Sequence, residues 1–202
     1  MTTAGIILCG GASRRMGKDK ALLPFGDLTM VERVASVLVP AVDEVLLVGR
    51  RNQTLPSDFR TVFDAIEDQG PVSGLAYGFD AASPDIAFLA SCDTPFLRTE
   101  FALRMIELSH GHEATVLRTN DGRLHPIGAV YSGKLLQRAQ DLLSRGQRSL
   151  KALIEQSETR YVGISEVEDV DPGLTSTLSV DTPEAYENAL QRAGLASGEG
   201  DS

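Results

Sequence analysis

Short apolar runs rich in β-branched residues alternate along the chain with segments whose apolar residues recur at helical spacing. Several runs are continuously hydrophobic, including Gly5–Cys9 and Val45–Val48, which is typical of strands covered on both faces. The predicted strands are Ala4–Cys9, Glu44–Gly49, Arg60–Asp64, Ile86–Ser91, Ala114–Arg118, Ile127–Tyr131 and Tyr161–Ser165. This alternation predicts a doubly wound α/β fold.

Start signals of helices stand between these runs. Thr29 and Glu32 have the spacing of a capping box, and Thr182 followed by Pro183 predicts the start of the last helix. Thr99 is the predicted N-cap of another helix. A further helix is indicated by an apolar stripe that comprises Leu135, Leu136, Ala139, Leu142 and Leu143.

Composition narrows the class of protein. The chain has 202 residues and a formal charge of −9, which argues against binding to nucleic acid or to an anionic membrane. We expect one domain over residues 1–194 and a disordered tail over 195–202. Because no transmembrane run and no basic leader is present, we expect a cytoplasmic protein with both cysteines reduced. We expect Cys9 and Cys92 to be buried and to pack as small hydrophobic residues.

The segment Leu8–Lys20 follows the first predicted strand and carries the clearest chemical signal. Gly10 and Gly11 allow a sharp turn that brings backbone N–H groups up to an anion. Four of the nineteen cations of the chain lie within positions 14–20, which indicates a binding site for a triphosphate. The segment matches neither the P-loop pattern nor the dinucleotide fingerprint, because the glycines are adjacent and Asp19 follows Lys18.

Two aspartates follow predicted strands. Asp64 ends one apolar run and Asp93 stands directly after another, at the edge where open α/β sheets bind ligands. A carboxylate near a triphosphate is repelled unless a divalent cation lies between them, so Asp93 is a candidate Mg²⁺ ligand. The alternative is that Asp93 serves as a turn or cap residue before Thr94 and Pro95.

The segment Leu8–Leu22 closely resembles L-x-G-G-x-S-x-R-M-G-x-D-K-x-L, the signature of the molybdenum cofactor guanylyltransferases (the molybdopterin-guanine dinucleotide biosynthesis protein A family). Further short motifs occur in the order found in that family, namely Gly70-Pro71-x-x-Gly74, Cys92–Pro95, His125-Pro126, Gly146-x-Arg148-Ser149-Leu150 and Thr182–Glu184. The resemblance covers nearly the whole chain. It implies the nucleotidyltransferase fold, a Rossmann-like three-layer α/β arrangement with a mostly parallel central sheet and helices on both faces.

The resemblance also implies an activity. Members of this family transfer GMP from GTP to the terminal phosphate of molybdopterin and release pyrophosphate, with Mg²⁺ as cofactor and molybdoenzymes or their chaperones as possible partners. By position, Lys20 and Arg15 would contact phosphates, Asp64 would lie in the nucleotide pocket and Asp93 would bind the metal. The candidate catalytic residues are therefore Arg15, Lys20 and Asp93, and the candidate nucleotide-binding residues are Leu8, Cys9, Gly10, Gly11, Lys20, Asp64 and Asp93.

Departures from the family pattern leave alternatives open. Gly49 stands where the family often has Asn, and Asp181 stands where Asn is usual. His125, Arg148 and Asp181 are candidates for the acceptor pocket. Asp181 is alternatively a residue that assists the metal, or a turn residue before the Thr182 cap. The other functions considered are cytidylyl transfer to molybdopterin, transfer to a sugar-phosphate, and nucleotide binding without turnover.

Overall fold

The computed structural model describes residues 1–10, 19–64 and 70–195, and these form a seven-stranded sheet with helices on both faces. The strands of this sheet are β1 (Thr3–Leu8), β4 (Glu44–Arg50), β5 (Arg60–Asp64), β6 (Ile86–Ser91), β7 (Ala114–Arg118), β8 (Leu124–Ser132) and β9 (Thr159–Val162). Their order across the sheet is β5-β4-β1-β6-β8-β7-β9. Strand β8 runs antiparallel to both of its neighbours, whereas the other adjacent strands are parallel. The mostly parallel three-layer fold is thereby confirmed.

Helices cover the two faces of this sheet. The helices are α1 (Met30–Leu38), α2 (Gly70–Ala82), α3 (Thr99–Leu108), α4 (Leu136–Ser144), α5 (Leu150–Glu155) and α6 (Pro183–Arg192). Helices α1 and α3 bury their apolar residues against one face, and α2, α4 and α5 bury theirs against the other. The short antiparallel pair of β2 (Pro24–Phe25) and β3 (Leu28–Thr29) packs with α6 in a smaller cluster beside the sheet. None of the described helices is both long and apolar enough to cross a bilayer.

The strand predictions were accurate except near β8 and β9. The predicted bounds of β5, β6 and β7 are those observed, whereas β8 begins three residues earlier than predicted, at Leu124. The last predicted strand, Tyr161–Ser165, is wrong at its end, because β9 stops at Val162. There the Glu166 carboxylate accepts hydrogen bonds from the Gly163 amide and Arg160, and this closes a tight turn that leads the chain out of the sheet.

The helix starts depend on both local and tertiary contacts. Thr29 and Glu32 form the predicted capping box, and the Thr182 hydroxyl accepts the amide of Ala185 as predicted. The prediction that Thr99 is an N-cap is wrong, because Arg98 occupies that position. The Thr99 hydroxyl instead donates to the carbonyl of Val37 in α1, at 2.9 Å, so a contact between helices takes the group that would have made the cap.

Two glycines let α2 approach β1 closely. Gly74 and Gly78 are one helical turn apart on the face of α2 that packs on the sheet. A Cβ added at Gly74 would lie 2.4 Å from Cδ2 of Leu8, and one added at Gly78 would lie 2.5 Å from Cδ1 of Ile6 and 2.9 Å from its Cγ1. The first turn of α2 is therefore held close to the end of β1.

We expect Gly78→Ala to destabilise the protein although alanine favours helix by up to about 1 kcal/mol. The added methyl group overpacks the contact with Ile6, which costs about 1–3 kcal/mol in well-packed cores. Urea denaturation should show a lower free energy of unfolding. The matched control is Gly163→Ala, because a Cβ at Gly163 would lie 3.7 Å from Oε2 of Glu166, an ordinary van der Waals distance. A Gly78→Ala protein that is as stable as the unaltered one would contradict this account.

Candidate active site at the carboxyl edge of the sheet

The parallel strands β4, β1 and β6 bring the residues that follow them to one edge of the sheet. The amide of Cys9 donates to the carbonyl of Val48, and the amide of Cys92 donates to that of Leu8, so the ladder continues one residue past β1 and β6. Cys9 and Cys92 are buried neighbours that form no disulfide, as predicted. A hydrogen bond with Cys9, followed by burial, raises the pKa of the Cys92 thiol well above its ordinary value. Both thiol side chains therefore serve as packing groups at this edge.

Lys20 lies between two carboxylates at this edge. Its ammonium group is 2.8 Å from Oδ1 of Asp181 and 3.8 Å from Oδ2 of Asp93. The Lys20 and Asp93 side chains are 15% and 19% exposed, whereas that of Asp181 is 60% exposed. The sequence predicts Lys20 and Asp93 in one site and Asp181 as a candidate for the acceptor pocket, and the structure brings all three side chains together.

Burial has left Asp93 in an unfavourable environment for a negative charge. Desolvation is the main cause that raises the pKa of its carboxyl, and the charge of Asp181 raises it further. A hydrogen bond with Ser91 and the charge of Lys20 act in the opposite direction. The ionised form of such a desolvated carboxylate is stabilised more strongly by an approaching cation than that of an exposed carboxylate.

The chain segment before α6 is fixed directly against Asp93. The amide of Val180 donates to the Asp93 carbonyl at 2.8 Å, and the Ser179 hydroxyl donates to Oδ2 of Asp181 at 2.8 Å. Thr182 caps α6 immediately afterwards. Asp181 is therefore both the residue before a helix cap, as the turn interpretation required, and an ion-pair partner of Lys20.

The start and end of the glycine-rich segment meet at Gln53, which the sequence analysis missed. Its side-chain amide donates to the carbonyl of Cys9 at 3.1 Å and to Oδ2 of Asp19 at 2.8 Å. Gln53 lies in the coil after β4, where no periodic pattern or motif marks it. The predicted site residues Gly11 and Arg15 lie outside the described residues.

A second group of predicted residues surrounds the start of α2. The buried hydroxyl of Ser73 donates to Oδ2 of Asp64 at 2.7 Å, so the end of β5 is tied to the first turn of this helix. Gly70 has a φ of +73°, and a Cβ there would lie 2.7 Å from the Arg148 carbonyl. The backbone at Arg148 therefore lies against the same helix end.

His125 lies near the amino end of β8. Because β8 is antiparallel to β6, this end of the strand is at the edge where β6 terminates. The side chain is half-buried, and its pKa is lowered by burial and by the charge of Arg123, with Asp121 acting in the opposite direction. These effects favour the neutral imidazole at pH 7.

The oxygen ligands at Lys20 suit a hard divalent cation. Asp93 and Asp181 both present carboxylate oxygens to the Lys20 ammonium group, and no group of three or more acidic, histidine or cysteine ligands that could hold a metal ion occurs in the described ranges. Mg²⁺ binds to one or two carboxylates when substrate phosphates and water complete its coordination. The residues present therefore fit a metal shared with a phosphate ligand.

Comparison with known proteins identifies the family of the chain. Residues 5–161 match the family model described as the MobA-like NTP transferase domain. The chain is 32% identical over 203 aligned residues to a Methanosarcina mazei protein named "Probable molybdenum cofactor guanylyltransferase", with 94% of this chain and 91% of that protein covered.

Solved structures share the fold at lower sequence identity. The crystal structure of molybdopterin-guanine dinucleotide biosynthesis protein A from Archaeoglobus fulgidus superposes with a TM-score of 0.81 at 17% identity, covering 96% of this chain and all of the other. Rv0371C from Mycobacterium tuberculosis, solved as a complex with manganese, has a TM-score of 0.69 at 20% identity, covering 95% of this chain and 99% of the other.

We expect Asp93→Asn to raise the melting temperature at pH 7 in the absence of ligands. The native pKa of Asp93 is raised, so ionisation of this group costs stability as the pH rises through that pKa, and the cost is absent in acid. Asparagine removes the buried charge while Lys20 keeps Asp181 as a partner. The expected gain is about 2–4 °C, the shift that roughly 1 kcal/mol produces in a chain of this size.

Calorimetry at pH 7 and at pH 4 measures this effect. The gain should be smaller at pH 4, and Asp80→Asn on the exposed face of α2 is the matched control. A lower melting temperature for Asp93→Asn at pH 7 would mean that attraction to Lys20 outweighs desolvation.

Proposed function

The chain belongs to the MobA-like NTP transferase family, and from this premise we propose that it is a molybdenum cofactor guanylyltransferase. It transfers GMP from GTP to the terminal phosphate of molybdopterin and releases pyrophosphate. The observation that carries the proposal is the contact of Lys20 with Asp93 and Asp181. Asp93 follows Cys92, whose amide bonds to Leu8, at the edge of the sheet where α/β folds bind nucleotides.

Each predicted residue has a role in this reaction. Backbone groups of Leu8, Cys9, Gly10 and Gly11 hold the nucleotide. Lys20 binds a phosphate, and Arg15 neutralises the β- and γ-phosphates. Asp64, fixed by the Ser73 hydroxyl, lines the nucleotide pocket, where it can accept hydrogen bonds from donor groups of the nucleoside.

The transfer itself needs no nucleophile from the protein. A phosphate oxygen of molybdopterin attacks the α-phosphorus of GTP, the new P–O bond forms, and the bond from the α-phosphorus to the bridging oxygen breaks so that pyrophosphate leaves. Catalysis therefore consists of aligning two anions and neutralising charge that develops on the leaving group. Lys20, partly buried, is placed to supply a positive charge where solvent screening is reduced.

Asp93 would hold Mg²⁺, with Asp181 as a second carboxylate near the same point. When bound, the metal ion screens the phosphates from these carboxylates and stabilises negative charge on their oxygens. The raised pKa of Asp93 supports this role, because a desolvated carboxylate is stabilised strongly by a cation. Lys20 would neutralise the part of the triphosphate charge that lies next to its ammonium group.

The acceptor has its own candidate ligands at the same edge. Arg148, whose backbone lies against Gly70, supplies a cation for the phosphate of molybdopterin, and neutral His125 supplies a hydrogen bond. Residues 1–194 act as one domain. The reduced, buried cysteines support a cytoplasmic location, where molybdoenzymes or their chaperones receive the product.

Equilibrium binding of GTP, CTP, ATP and UTP, each with and without Mg²⁺, tests this function. We expect GTP with Mg²⁺ to bind most tightly, and we expect Asp93→Asn to lose the dependence on Mg²⁺. The same variant should lower the rate of GMP transfer to molybdopterin by about 100-fold, because charge stabilisation in the transition state is lost. Asp80→Asn, an exposed carboxylate on α2, should leave both measurements unchanged.

Other outcomes would exclude parts of the proposal. Preference for CTP would indicate cytidylyl transfer on the same fold, and transfer to a sugar-phosphate would replace molybdopterin as acceptor. If the unaltered protein binds a nucleotide but catalyses no transfer, and Asp93→Asn changes neither result, the chain is a nucleotide-binding partner without turnover, and the proposed reaction is wrong.

A further inference from the structure

We propose that Gln53 is a positioning residue that ties the two ends of the glycine-rich segment together and so presets the nucleotide site. The inference rests on the proposed function, because the nucleotide is the ligand whose binding Gln53 supports. Gln53 touches neither Lys20 nor Asp93 in any hydrogen bond given by the structure, and it acts through Cys9 and Asp19.

Every strong hydrogen-bonding group of the Gln53 amide is used. Its Oε1 accepts the backbone amide of Arg50 at 2.9 Å, and its Nε2 donates to Cys9 O at 3.1 Å and to Asp19 Oδ2 at 2.8 Å. The opposite orientation of the amide would place oxygen against a carbonyl and a carboxylate, so its partners define the orientation. Gln53 thus joins the end of β4, the residue after β1 and the residue before Lys20.

Asp19 transmits this contact to Lys20. Its second carboxylate oxygen, Oδ1, accepts the amide of Ala21 at 3.1 Å and caps the short helical turn Lys20–Leu22. The Arg50 guanidinium lies 3.9 Å from Oδ2 of Asp19, on the same side as Gln53. A shift of the Asp19 carboxylate would therefore shift the turn on which Lys20 stands.

Glycines make room for these contacts. A Cβ at Gly49 would lie 3.0 Å from Oε1 of Gln53 and 2.8 Å from Cδ1 of Leu55. A Cβ at Gly10 would lie 3.2 Å from Cγ of Arg50. The space beside Gly49 is thus taken by Gln53 and Leu55, which accounts for the absence of a side chain at this departure from the family pattern.

As a consequence, the two ends of the glycine-rich segment are held in fixed relative positions before the nucleotide binds. The Cys9–Gly10 backbone and Lys20 come from opposite ends of the segment, and without Gln53 the nucleotide would have to order them on binding. Such ordering lowers affinity without removing any direct contact. We therefore expect Gln53→Leu to weaken GTP binding with Mg²⁺ about ten-fold and to raise the KM for GTP similarly, while kcat changes by less than about three-fold.

The experiment compares Gln53→Leu with Gln137→Leu. Gln137 is an exposed glutamine on α4 whose amide donates to the Asp141 carboxylate, so the control loses a hydrogen bond of the same chemistry away from the site. Two quantities are measured for each protein, namely the Kd for GTP with Mg²⁺ and the hydrogen-exchange rate of the Ala21 amide without nucleotide. We expect faster exchange and weaker binding for Gln53→Leu, and neither change for the control.

A rescue experiment separates positioning from general loss of stability. Gln53→Glu replaces the donor with an acceptor that faces Asp19, and it should weaken binding at least as much as Gln53→Leu. Adding Asp19→Asn supplies a side-chain donor toward position 53 while its amide oxygen can still accept from Ala21. The double variant should regain a substantial part of the affinity lost by Gln53→Glu.

The outcomes separate this inference from the proposed function. If the unaltered protein binds none of the four nucleotides, the proposed function fails, and the exchange rate of Ala21 still reports whether Gln53 fixes Asp19. If the unaltered protein binds GTP and Gln53→Leu binds it equally well, the positioning role is overturned, whatever the exchange rate. Failure of Asp19→Asn to improve Gln53→Glu would overturn the assigned hydrogen bond.

Discussion

The proposed site depends on the contacts of the Lys20 ammonium group with two carboxylates. This group links the end of the glycine-rich segment to Asp93 after β6 and to Asp181 before α6. Two carboxylates this close would repel each other without a cation between them. Lys20 relieves this repulsion in the structure, and the bound metal would take over part of that task when phosphates engage the lysine. In the proposed function, the charges that form ion pairs at this edge are also those that bind the nucleotide and its metal.

The sheet supplies the rigidity that this charge cluster requires. Adjacent parallel strands place Cys9 and Cys92 side by side, and the close packing of α2 on β1 fixes the helix start where Ser73 holds Asp64. Burial at this edge lowers the stability of the folded protein when Asp93 is ionised. The packing of the surrounding core offsets this loss of stability. Such a trade is common at sites that bind a cation, because local destabilisation of a charge increases what the ligand contributes.

Most of the fold could be predicted because parallel strands covered on both faces are nearly continuous apolar runs, and β5, β6 and β7 have the bounds that the pattern indicates. The errors have a common cause. Threonine is a residue type favoured at helix N-caps, yet the Thr99 hydroxyl donates to the Val37 carbonyl of another helix. Strand β9 ends where the Glu166 carboxylate accepts the Gly163 amide and closes a turn. Local preference is weak compared with a tertiary hydrogen bond at such positions.

The sequence alone determined the class of fold, and it predicted the edge at which ligands bind and the proximity of Lys20 to Asp93, since strand ends and glycine-rich turns are local signals. The tertiary structure decided that Asp181 pairs with Lys20 beside Asp93, and that the Gln53 side chain bonds to both Cys9 and Asp19. These side chains come from coil segments with no periodicity, and their separation in space is set by how α6 and β4 pack. No pattern along the chain encodes that distance.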